Sequence, residues 1–123
     1  MTARSPEQVQ PLFEEAFNAG DIDALMTLYE PGASIEPEPG QLIEGADGVR
    51  EVLKGFLALK GAFTFETKKV VQTGDLALLH GHWTLAATGP DGSPVNLSGD
   101  TTEVVRQQAD GTWLYVIDLA DDV

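Results

Sequence analysis

The 123-residue chain has no cysteine. It therefore has no disulfide framework, thiolate nucleophile or thiolate metal site, which fits a reducing cytoplasm and leaves oxygen or imidazole as any base. Positive charge is also scarce. Seven Lys and Arg stand against 20 Asp and Glu, for a formal net charge of -13. Such a surface repels phosphate backbones and anionic bilayers, so neither nucleic acid nor membrane is expected as a partner. No apolar run approaches the length that spans a bilayer, and "MTARSPEQVQ" has no apolar stretch behind its arginine. The expectation is a cytoplasmic protein in which the sequon at Asn96 stays unglycosylated. With 42% hydrophobic residues, the chain has the size and content of one domain over 1–123, with a single core.

Helical signals fill the first half. Ser5 as N-cap, Pro6 and Gln8 precede Val9, Leu12, Phe13, Ala16 and Phe17 on one stripe, and Gly20 ends it. Asp21 opens a second helix with Ile22, Leu25, Met26 and Tyr29 inward, which Pro31-Gly32 breaks before a short strand at Ala33 to Glu36. A third helix is predicted from Ala46 to about Lys60, stopped by Gly61. From Phe63 onward, "FTFETKKVVQ", "LALLHGHWTLAA", "VNLSGDTTEVVRQ" and "WLYVIDL" read as strands joined by turns at "TGD", "GPDGSP" and "ADG". Helices followed by an antiparallel meander make an α+β fold, with the helices on one face of a curved sheet.

Several residues could carry chemistry. Asp118 interrupts the last strand, where alternation groups it with Leu114 and Val116 and sets Trp113, Tyr115, Ile117 and Leu119 on the other face. A carboxylate among apolar neighbours has its pKa raised and suits acid or base work near neutrality; the alternative is a strand-end acid in solvent. Glu103 either completes a two-carboxylate site with Asp118 or is a solvated strand charge. His80 and His82 face the same way on a strand, but a third metal ligand is not placed by spacing, so no metal is expected. In "SIEPEPGQLIEG", Glu36 and Glu38 flank Pro37. They read either as an acid pair or as a rigid turn. Phe13, Phe17, Phe56 and Trp83 are core residues, or line a pocket if the sheet curves away from the helices.

The run "FNAGDIDALMTLYEPGASIEPEPGQLIEGADGVREVL", followed by "GDLALLHGHWTLAATGPDG" and "RQQADGTWLYVID", resembles the nuclear-transport-factor-2-like superfamily, in its SnoaL-like and ketosteroid-isomerase-like branches. The resemblance covers nearly the whole chain. It implies a conical α+β barrel of mostly antiparallel sheet, three N-terminal helices on its concave face, a small hydrophobic ligand inside and a homodimer through the outer face. Ketosteroid isomerases keep a tyrosine donor where this chain has Phe13 and a catalytic aspartate where it has Pro37. Their protonated aspartic acid falls near Glu103, and Asp118 falls on a pocket-facing position of the last strand. The histidines that other branches carry after the D-G-x-W turn are replaced by Ile117 and Leu119.

True ketosteroid isomerisation is therefore not expected. The functional expectation is an acid/base enzyme without cofactor, of isomerase, cyclase or dehydratase type, acting on a polyketide- or steroid-like molecule. Asp118 and Glu103 are its catalytic candidates, and Phe13, Phe17, Pro37, Val52, Phe56, Trp83 and Val116 its substrate contacts. The alternatives are a non-catalytic ligand-binding protein and a dimerisation module that uses Trp113, Tyr115, Ile117 and Leu119.

Overall fold

A computed structural model describes residues 2–38 and 40–119. Its helices are α1 (Val9–Asn18), α2 (Ile22–Met26) and α3 (Ala46–Leu57). The strands are β1 (Tyr29–Glu36), β2 (Ile43–Glu44), β3 (Ala62–Thr73), β4 (Leu76–Thr88), β5 (Pro94–Gln107) and β6 (Trp113–Leu119). They form one sheet in the order β2-β1-β6-β5-β4-β3. Every neighbouring pair is antiparallel except β1 with β6. The expected α+β architecture is present, as a curved, cone-like sheet whose ends do not meet. Irregular pairing at Tyr29/Ser34, Thr67/Lys69 and Val104/Val105 supplies bends along it.

The helix layer is seated on the sheet edge by polar side chains of α1. Asn18 exchanges two bonds with the backbone of Phe63, at 2.8 and 2.7 Å. Glu14 Oε1 accepts the Phe65 N–H at 2.7 Å, and Gln10 Oε1 accepts the Thr67 hydroxyl. The contacts step by four residues on α1 and by two on β3. Four helical residues rise about 6 Å and two strand residues about 6.6 Å, so the two repeats run in step. Beneath this ladder, Phe13, Phe17, Leu25, Val49 and Leu53 of the helices meet Leu79, Leu85, Val105 and Tyr115 of the sheet, all buried.

Local expectations are corrected at five places. Ser5 makes no side-chain cap: the chain starts with a 3-10 turn, Pro6–Gln8, and Gln8 Oε1 accepts the Arg4 N–H at 2.6 Å. Tyr29 opens β1 instead of closing α2, which stops at Met26. Pro31-Gly32 lie within β1, where Tyr29 to Ser34 spans only Tyr115 to Ile117 of β6; a bulge tolerates the missing proline N–H. Helix α3 ends at Leu57. Past it, Gly61 packs so tightly on β4 that a Cβ would stand 2.7 Å from the Ala86 carbonyl.

The fifth correction bears on the site. Strict alternation fails in β6 because Val105 pairs with Tyr115 while Val104 pairs with Ile117, leaving Val116 as an extra residue. Trp113 and Tyr115 are consequently core residues, Ile117 is 37% exposed, and Asp118 returns to the inner face. The expected grouping of Asp118 with Leu114 and Val116 does not hold. Nor can Trp113 and Tyr115 contribute to a contact on the back of the sheet.

Gly81 lies under Gln10, and a Cβ there would stand 2.6 Å from the Glu66 carbonyl and 3.4 Å from Gln10 Nε2. Gly81→Ala is expected to lower stability by about 2 kcal/mol in urea unfolding, because the clash is with backbone. Gly55→Ala, in α3 with nothing within 4 Å, is expected to raise it by about 0.5–1 kcal/mol. Equal effects at the two positions would contradict this packing.

Candidate active site

Asp118, Glu103 and Leu79 are direct cross-strand partners on β6, β5 and β4, and Ile35 of β1 continues the row. Paired positions share a face, so the β6 bulge that turns Asp118 inward also brings it beside Glu103. Cβ atoms of such pairs are about 4.5–5.5 Å apart. The two sequence candidates are thus neighbours on one inner wall.

Asp118 is 9% exposed. Burial raises its pKa from the ordinary carboxylate range to about 6, and the bond from Tyr29 pulls the other way. That bond is short, 2.5 Å from the Tyr29 hydroxyl to Asp118 Oδ2, as expected of a hydroxyl donating to a carboxylate. Burial holds the Tyr29 pKa well above its usual value, and the charge of Asp118 adds to this. Tyr29 therefore remains the donor across the working pH range. Its ring packs on Tyr115 at 4.8 Å. The Tyr115 pKa is likewise raised, by burial and then by Glu103 and Asp118.

Glu103 is fully buried behind Asp118. Its Oε1 accepts the Thr101 hydroxyl at 3.1 Å and the Gln10 amide. Because Thr67 donates to the Gln10 carbonyl oxygen, the Gln10 amide must turn its N–H toward Glu103. Helix α1 thereby orients the inner carboxyl through one fixed side chain.

Asp118 opens on an apolar cavity of about 50 Å³. Phe13 and Phe17 of α1, Phe56 of α3 and Trp83 of β4 line it as the expected substrate contacts would. Val52, Pro37 and Val116 do not. On α3 the inward position is the buried Leu53, one residue past Val52. On β1 it is Ile35, and Pro37 follows the strand end; Val116 is the bulged residue. Phe63, Phe65, Leu85 and Thr101 complete the wall. Among the described residues, no Lys, Arg or His reaches it.

The remaining candidates lie elsewhere. Glu36 ends β1 half-buried and Glu38 is exposed beyond it. His82 Nδ1 is 3.0 Å from Asp100 Oδ1, and His80 Nδ1 is 3.4 Å from the Thr102 hydroxyl, on the convex side. Among the described residues no group of three His, Asp or Glu is arranged to hold a metal ion.

Sequence reasoning missed Tyr29, Gln10 and Thr101. Tyr29 was concealed by its apparent helical spacing, whereas Thr101 could be found from its parity with Glu103 on one strand. Gln10 had a weaker signal: a polar residue beside Val9 and Phe13 on an inward-facing helix.

An arrangement of this kind can take a proton from a bound molecule or return it, with Asp118 as the contact and Tyr29 and Glu103 behind. No curated protein sequence matches the chain significantly. In fold it is similar to a candidate dehydratase of the nuclear-transport-factor-2-like family from Streptomyces avermitilis (TM-score 0.80, 22% identity, 95% of this chain and 93% of that one). It is similar to a ketosteroid isomerase-like protein from Erwinia carotovora atroseptica (TM-score 0.79, 22% identity, 92% and 89%). A candidate calcium/calmodulin-dependent protein kinase type II association domain from Thiobacillus denitrificans is as close in shape (TM-score 0.81, 18% identity, 100% and 98%). Likenesses at such identities establish the fold, and one fold carries many activities. The SnoaL-like domain family matches residues 9–116, and the chain belongs to that family.

Proposed function

We propose that the protein is a cofactor-independent acid/base enzyme of isomerase, cyclase or dehydratase type, with Asp118 exchanging the proton. The observation that carries this reading is a carboxyl at the cavity wall with its pKa raised to about 6, where a group accepts and releases protons efficiently near neutral pH. Tyr29 steadies the ionised form through its hydrogen bond. In its protonated form, Glu103 would donate a hydrogen bond to negative charge developing beside Asp118. The substrate is a small hydrophobic molecule with one ionisable or leaving group turned to Asp118. A polyketide- or steroid-sized skeleton needs a pocket of roughly 300 Å³ or more, so it would enter only in part unless the aromatic wall moved. Phe13 at the expected donor position favours a second reading: a non-catalytic binding protein with the same cone.

Asp118→Asn is expected to lower kcat/KM on an identified substrate by about 100-fold or more, and Glu103→Gln by about 10-fold. Turnover by both variants at the parent rate would remove the enzymatic reading and leave the binding one.

The pH dependence follows from the raised pKa. The folded state holds the Asp118 proton more tightly than the unfolded chain, so this group favours folding most below about pH 4. That contribution is lost as pH rises through about 6, on the order of 2–3 kcal/mol in all. Asp118→Asn is expected to abolish this slope in denaturation curves between pH 4 and 7. A base-dependent rate would rise over the same interval with its midpoint near 6. A parent and variant with parallel stability profiles would contradict the assignment.

The proposed assembly is a homodimer through the convex face of the sheet. Val71, Leu78, Val104 and Ile117 form one cross-strand row there, and Val71, Leu78 and Ile117 are 48%, 39% and 37% exposed. Beside the row, the Lys68–Glu66 pair carries both signs of charge. Two acidic chains meet there with less repulsion than elsewhere. Sedimentation at micromolar concentration is expected to give a dimer, and Leu78→Lys a monomer. A monomeric parent would exclude this interface.

A further inference from the structure

Polar side-chain atoms are few in the wall of the cone. Among the described residues, only the Thr101 hydroxyl and the uncharged Trp83 indole N–H join the Asp118 carboxyl there. Thr101 stands two residues before Glu103 on β5, so the two share the inner face. Glu103 is the direct partner of Asp118, Gly81 is the partner of Thr101, and Gly99 is the partner of Trp83. Thr101 is therefore one inward step from the level of Asp118 toward that of Trp83. Trp83 and Phe56, which meet at 6.4 Å, are only half-buried and mark the mouth, whereas Phe13 and Phe17 are 6% and 4% exposed.

Thr101 gives its proton to Glu103 Oε1, at 3.1 Å. A hydroxyl has one proton and two lone pairs, so what Thr101 has left for a ligand is an acceptor. At Asp118, Oδ2 takes the Tyr29 hydroxyl. The other carboxyl oxygen accepts from a ligand when ionised and donates to it when protonated. A ligand hydroxyl matches this pair: it gives its proton to Thr101 and takes one from protonated Asp118, with no donor left over. An ammonium brings three N–H donors against two acceptors, which strands one among aromatic rings. A carboxylate meets no Lys, Arg or His in the wall among the described residues, and it would lie beside two acidic side chains.

Size points the same way. An apolar cavity of ~150 Å³ admits benzene, which is about 25 Å³ for each carbon atom. The cavity of about 50 Å³ then takes about two non-hydrogen atoms, a carbon and its hydroxyl oxygen.

The geometry points to Thr101 as the specificity-determining residue of the cone: with Asp118 it forms a subsite for the hydroxymethyl end of an otherwise apolar ligand, whose remainder extends past Phe56 and Trp83. This deepens the acid/base reading and rests on it for the contact with Asp118. Selection at Thr101 rests on hydrogen-bond counting.

The test uses probes small enough for the cavity as it stands: methanol, methylammonium, formate and fluoromethane. Each is titrated at pH 6 into the parent, Thr101→Ser, Thr101→Val and Thr101→Ala, and read from the NMR signals of the Asp118 carboxyl and the side chain at position 101. A two-atom ligand binds at about 6 mM at the strongest, so saturation is sought in the millimolar range and above. Methanol is expected to bind the parent at least about fivefold more tightly than methylammonium or formate. Thr101→Val and Thr101→Ala are expected to lower the affinity ratio of methanol to fluoromethane about tenfold, with Thr101→Ser within about twofold of the parent. Fluoromethane carries no donor, so a merely structural change at position 101 would weaken both probes and leave the ratio where it was. If Thr101→Val does not fold, the alanine variant decides, and if neither folds, the ranking of the probes on the parent does. Methylammonium or formate binding as tightly as methanol, an unchanged ratio in a folded variant, or no saturable methanol binding to the parent would overturn the subsite. Methanol binding that leaves the Asp118 signal unmoved would overturn it as well. None of these readouts requires turnover, so loss of the enzymatic reading through an undiminished Asp118→Asn leaves the result standing.

Discussion

The matched repeats of α1 and β3 are the contact on which the rest of the structure depends. A strand at the edge of a sheet presents unpaired backbone groups, and an edge left open invites other chains. Here Glu14 and Asn18 bond to that edge at Phe65 and Phe63. The same helix turns Phe13 and Phe17 into the cone and holds Gln10 against Glu103. Placement of the helix layer, shape of the cavity and orientation of the inner carboxyl thus follow from a single docking geometry. A helix displaced by one turn would disturb all three together.

Two carboxyl groups on one inner wall, with no cation lining the cavity among the described residues, are a burden in a chain already carrying a net charge of -13. Burial disfavours ionisation, and each charge disfavours the next. Hydroxyl and amide donors are the available relief. Tyr29 serves Asp118, while Thr101 and Gln10 serve Glu103. Neutral donors stabilise a carboxylate less than a paired cation does, so Asp118 stays responsive near neutral pH. A salt bridge in its place would hold the group ionised and remove that response.

Much of the site was legible because it depends on residue type. An acid in an otherwise apolar strand, aromatics at helical spacing and turn glycines each have a local physical signature, and Asp118, Phe13, Phe17, Phe56 and the hairpins follow from them. What could not be read depends on pairing between strands. The extra residue at Val116 and the wide bulge around Pro31-Gly32 are properties of two strands at once. No periodicity within one strand reports them. For this reason alternation alone puts Trp113 and Tyr115 on the wrong face, and helical spacing alone puts Tyr29 in a helix. Val52 and Leu53 both fit an amphipathic turn, and helix rotation decides that Leu53 lines the cavity.

The bulge in β6 also bears on how such a cone could change over generations. Asp118 faces inward only because one residue is surplus upstream of it. Flattening the bulge with Val116 paired in regular register would carry the carboxyl to the opposite face, whereas deleting Val116 would leave Asp118 across from Glu103. A substitution that flattened the bulge could therefore disarm the wall, and one that restored it could rearm it. Chemistry on this scaffold is in that sense a property of strand register as much as of residue identity, and relatives with the same amino acids in the last strand need not share an inner wall.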